Sequence, residues 1–153
     1  MRTILVSVAL LMVSAAVMAA SPPPIPGSTP SAAALLSPAP AGASVYFIEP
    51  ADGATVPRKF TVKFGVKGLT VVPAGTDEPN SGHHHLVIDL ATLPDMTQPL
   101  PSNSHIMHFG KGQTETELTL PPGKHTLQLV FANYQHIPHS PPVISKPITI
   151  TVQ

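Results

Sequence analysis

From Ser44 onward, apolar and polar residues alternate in short runs broken by turn residues, the period of two that marks β-strands. Ser44 to Glu49 (SVYFIE) reads as a first strand, stopped by Pro50-Ala51-Asp52-Gly53, where proline presets φ and glycine permits a positive one. Phe60, Val62, Phe64 and Val66 alternate with Thr61, Lys63 and Gly65 and predict a half-buried second strand. A third runs from 83 to 89. Its residues beyond His85 are apolar on both faces, as in a central strand covered on both sides. Residues 105–109, 114–120, 124–132 and 144–152 complete the set, with tight turns over 110–113 and 121–123. The sixth strand is the clearest: His125, Leu127, Leu129 and Phe131 share one face, and Thr126, Gln128 and Val130 the other.

Three connections are read as irregular. Residues 67–82 form a loop long enough to be functional rather than idle, 90–103 is a crossing interrupted by Pro94, Pro99 and Pro101, and 133–143 is a late loop. Seven short strands and no convincing helix predict an all-β fold, an immunoglobulin-like β-sandwich over 44–153, with a small β-barrel as the alternative.

Ahead of this domain the pattern changes. Met1-Arg2-Thr3 precedes an uncharged apolar run from Ile4 to Val17 and the small residues Ala19-Ala20-Ser21, the signature of a secretory signal peptide over 1–20. The run is short for a membrane-spanning helix, which needs ~20 residues, so an uncleaved anchor is the lesser alternative. Residues 21–43 are rich in proline, alanine and serine and carry no charge, and are expected to form a disordered tether. The expected location is therefore periplasmic or secreted. With no cysteine, the exported fold must stand on its core or on a bound ligand rather than on disulfides.

Charge alters the picture in one respect. Eight basic and eight acidic side chains give a formal net charge of zero, which excludes the basic footprint of a nucleic-acid binder, whereas eight histidines are many for so weakly charged a chain. Their positions follow the strand order. In a sandwich with antiparallel neighbours, the connections before the third strand, after the fourth and after the sixth gather at one end. That end receives His83, His84 and His85 at the start of the third strand, His108 at the close of the fourth, and His136 and His139 in the late loop. His125 falls at the opposite end.

Imidazole is a common ligand for zinc and copper, and with no thiolate in the chain these are the two ions expected. His136-Ile137-Pro138-His139 has the short spacing of a loop chelate stiffened by proline. Alternation along the third strand places His83 and His85 on one face and His84 on the other with Leu86, where a buried hydrogen-bonding role competes with ligation. His105-Ile106-Met107 would pair imidazole with thioether, a copper(I) combination, against the simpler expectation that Met107 packs in the core; Met96 is the other methionine of the domain. Asp89, Glu115 and Glu117 are available as general bases, but no spacing nominates one of them. There is no Gly-Xaa-Ser-Xaa-Gly elbow, and Gly110-Lys111-Gly112-Gln113 is a hairpin turn rather than a phosphate loop.

Three blocks, GHHHLVID at 82–89, HFGKGQTETELTLPPGKHTLQLVFA at 108–132 and QHIPHSPPVISKPITI at 135–150, resemble the bacterial envelope family known as domain of unknown function 4399. The resemblance covers most of 44–153 and implies a small exported all-β domain without a known activity. Its histidine-bearing blocks match at His83, His84, His85, His108, His125, His136 and His139. The functional expectation is a non-enzymatic, monomeric domain that binds copper or zinc through His83, His84, His85, His108, His136 and His139. Its expected partners are a metal ion, with an envelope protein as a second candidate, and neither nucleic acid nor membrane once the signal is removed. Two alternatives stand beside it: an envelope interaction module whose histidines form a hydrogen-bond network, and a metal-dependent hydrolase.

Overall fold

The structure, a computed structural model, describes residues 35–153, so the signal read over 1–20 and the front of the tether lie outside the described residues. Among the described residues ten strands form two facing sheets, the expected β-sandwich, with the larger sheet curled. The smaller sheet is antiparallel, with β3 (Lys59–Lys67) between β1 (Ser44–Glu49) and β7 (Glu115–Thr119). In the larger sheet β8 (Gly123–Ala132) and β5 (Ser81–Ile88) lie side by side at the centre. β4 (Thr70–Val71) and β6 (Ile106–His108) share the far edge of β5. β9 (Pro138–Ile144) and β10 (Ile148–Val152) share the far edge of β8, and β2 (Thr55–Val56) runs parallel to β10.

Alternation explains the core. Phe60, Val62 and Phe64 of β3 turn inward against Leu86 and Ile88 of β5 and Leu127, Leu129 and Phe131 of β8, all buried. The larger sheet is covered on its outer face as well. There Val87, Ile106, Val130 and Ala132 are buried with Leu100, and Leu90, Leu93, Met96 and Ile144 pack around them. The proline-bearing crossing between β5 and β6 thus acts as a cover, tied down where Leu100 N donates to His136 O at 2.9 Å. All eight residues of β5 are consequently buried, the two-sided burial expected of a central strand.

Two expectations are corrected. The last predicted strand, 144–152, and part of the late loop are in fact β9 and β10, separated by a bend at Ser145. Ser145 N donates to Leu129 O at 2.9 Å and its Oγ accepts from Leu129 N at 2.9 Å, so both strands pair with one edge of β8. Pro138, Pro141 and Pro142 masked β9; prolines are tolerated there because β9 pairs with β8 on one side only. The second correction concerns the tether, whose final residues are docked rather than disordered. Ser140 N donates to Ser37 O, and Ala39 N to Ser140 O, each at 2.9 Å, laying Pro38 parallel to β9.

Candidate metal centre

The centre is assembled on the outer face of β5, where period-two alternation projects His83 and His85 side by side, with ring centroids 4.9 Å apart. Opposite them on β8 stand Ala132 and Val130, and the alanine leaves room for an imidazole over the sheet. On the other edge His108 of β6 pairs in register with His85, the rings 5.1 Å apart. Gly110 makes that position possible, because a Cβ there would overlap the His108 ring. Gly82 serves likewise: a Cβ would strike the carbonyl of Ala132 and hold β5 off β8.

His136 arrives from the turn between β8 and β9. Asn133, buried at its base, accepts at Oδ1 from Gln135 N at 2.9 Å and Ile137 N at 3.1 Å, while its Nδ2 donates to Leu35 O and Ser37 Oγ. These bonds hold His136 at φ 66°, a left-handed conformation uncommon for a side chain with a Cβ. Its ring lies 4.6 Å from that of His108 and 5.0 Å from that of His83, completing a group of four imidazoles.

His83 and His85 are 0% and 1% exposed, whereas His108 is half-buried. Burial, reinforced by the neighbouring imidazoles, lowers His83 from the usual 6.5 to about 3 and His85 to about 2, and His108 is lowered too, first by burial and then by His136. These rings are therefore neutral at physiological pH, each with a free lone pair. Neither ring nitrogen of His83 or His85, nor Nε2 of His108, has a hydrogen-bond partner among the described residues. Unpartnered buried nitrogens are costly unless something binds them. His83, His85 and His108 each offer one nitrogen, all within 4.8 Å of one another, and could hold a metal ion. Nitrogens sharing one ion at 2.0–2.1 Å stand roughly 3–4 Å apart, so ring rotations of about an ångström would close the site.

The six histidines singled out from the sequence thus divide. His83, His85, His108 and His136 come together; His84 and His139 lie on the inner face. The His84 ring sits 4.7 Å from Phe64 and 5.0 Å from Phe131, in the core. Burial lowers it to about 4, and the nearby Gly65 backbone only partly offsets this without completing a hydrogen bond. His139 stacks on the other side, 5.9 Å from Phe131 and nearly parallel to it, and is lowered by burial despite the backbone of Phe131 and Ser81. The pair His136 and His139 is accordingly no loop chelate, because the start of β9 sends the two rings to opposite faces. Met107 packs against the core, and His105 Nδ1 bonds Ile88 O at 3.0 Å, so the imidazole–thioether pairing does not form.

His125 lies at the opposite end, as its place in the strand order implies. Its Nδ1 meets Asp89 Oδ2 at 2.7 Å and its Nε2 meets Pro121 O at 2.9 Å. Acceptors at both nitrogens favour the protonated ring, and the hydrogen bond to Asp89 raises it above its ordinary value. Two residues that shape the centre, Gly110 and Asn133, escaped the sequence reading. The available signal was a glycine two residues beyond a strand-closing histidine and an asparagine opening a turn.

A family model described as a domain of unknown function (DUF4399) matches residues 62–153, a span that contains all four imidazoles of the group. No curated protein and no solved structure matches the chain.

Proposed function

Because this chain belongs to the domain of unknown function 4399 family, whose description carries no activity, we propose its function from the site itself: an exported, non-enzymatic domain that binds a transition-metal ion, copper or zinc, through His83, His85 and His108, with His136 beside them. The observation that carries this reading is the set of buried, neutral, unpartnered ring nitrogens within 4.8 Å of one another. Copper and zinc are the first-row ions that neutral imidazole suits best among those available to an exported domain. Export rests on the amino-terminal signature alone.

Both alternatives have less support. A hydrogen-bond network would require partners for these nitrogens, and among the described residues those of His83, His84, His85 and His139 complete no hydrogen bond. A metal-dependent hydrolase calls for a general base beside the ion. All eight carboxylates of the chain are on exposed residues, and none belongs to the histidine group.

The test is a calorimetric titration of the protein, purified without a histidine tag, with copper and with zinc. One equivalent of at least one ion is expected to bind. At a free concentration about 100-fold above Kd it should stabilise the fold by about 2.7 kcal/mol. His83→Ala, His85→Ala and His108→Ala should each abolish that gain, whereas His139→Ala, on the inner face, should keep it. Absence of stoichiometric binding to both ions would overturn the proposal.

A further inference from the structure

The centre is unusual in its electrostatics. It contains only neutral donors, no carboxylate takes part, and the two innermost rings are fully buried. A divalent ion placed there would keep its whole double charge in a poorly polarisable setting, because neither a ligand nor a neighbour supplies a compensating negative charge. The solvation penalty for burying an ion grows with the square of its charge, so a dication is penalised about four times as heavily as a monocation of similar size.

The surroundings of the rings point the same way. A histidine that ligates a divalent ion normally donates its second ring N–H to a carboxylate, carbonyl or water, which raises its basicity and spreads the charge outward. At His83 and His85 neither ring nitrogen meets an acceptor among the described residues. His125 shows what such support looks like in this chain, with Asp89 on one nitrogen and Pro121 O on the other. The supported imidazole is thus at one end of the sandwich and the unsupported group at the other.

Few imidazoles, no anion and a buried setting suit a singly charged d¹⁰ ion, which tolerates two or three ligands and has no ligand-field preference to satisfy. Resting on the metal-binding reading above, we propose that this site selects copper(I) over zinc(II) and copper(II), with His83, His85 and His108 as an all-nitrogen, three-coordinate set. Met107 faces the core and supplies no thioether to this set.

The experiment is an anaerobic competition on the tag-free protein with three probes: acetonitrile-stabilised copper(I), silver(I) as a redox-inert monocation, and zinc(II). One equivalent of copper(I) or silver(I) should survive desalting and resist an approximately tenfold excess of zinc(II). The copper X-ray absorption spectrum should show nitrogen scatterers only. His108→Ala, at the half-buried ring, should lose the ion even if His83→Ala fails to fold, and His105→Ala, outside the group, should retain it. Displacement of copper(I) by zinc(II), or equal retention of copper(II), would overturn this inference and leave the metal-binding function standing. Failure of every ion to bind would remove both.

Discussion

Gly110 shows how much a single absent methyl group can decide. It has no part in the core, yet the His108 ring lies over its Cα in the space a Cβ would fill. Its backbone is not in the left-handed region, so Gly110→Ala should leave the fold intact and act on the ring alone. We expect metal affinity to weaken by about 10- to 100-fold, the usual cost of disturbing the support of a ligand. The unfolding midpoint without metal should stay close to that of the parent, and titration beside thermal melting checks both. His84 and His85 make the complementary point. They are adjacent in sequence, but the strand turns one into the aromatic core and the other into the candidate centre.

Among the elements, the turn from Asn133 to Ile137 carries the greatest consequence for the site. One buried amide accepts from two backbone N–H groups and donates to the segment ahead of β1. Asn133→Ala would leave Gln135 N without its side-chain acceptor and should cost about 2–3 kcal/mol in chemical denaturation. Because His136 would then relax from its left-handed conformation, hydrogen exchange at residues 135–137 should quicken beyond what the global loss explains. This element also marks where the sequence became illegible. Strict alternation revealed β3, β5 and β8, and with them the faces of His83, His84 and His85, because a strand's period needs no tertiary information. Chain order then brought His108 and His136 to the correct end and sent His125 to the other. The division of His136 from His139 was hidden, since it depends on a left-handed backbone at one residue and on a proline-bearing strand that ordinary propensity argues against.

For the whole molecule the imidazoles set the response to pH. Three buried rings, His83, His84 and His85, have folded values of about 3, 4 and 2 against 6.5 for an exposed ring. A lowered value means that the unfolded chain takes up protons more readily, so their contribution is complete above about pH 6.5 and is lost as the pH falls below it. Each ring removes up to about 1.4 kcal/mol per pH unit in that window, against a typical total stability of about 5–15 kcal/mol. The metal-free protein should therefore unfold cooperatively between roughly pH 4 and 6, as followed by circular dichroism. His125 acts in the opposite sense. Its raised value gives a contribution that is complete below pH 6.5 and fades as the pH rises through the folded value, so it is felt on the alkaline side and is constant across the acid transition.

The two bonds from the Asn133 side chain to Leu35 and Ser37 have a consequence for how this domain is presented. They clamp the incoming peptide against the base of the turn that carries His136, and the parallel contact at Pro38 continues that grip along β9. Leu35, Ser37 and Pro38 are therefore held beside the imidazole pole of the sandwich. The pole marked by Asp89 and His125 is the one turned away from these docked residues.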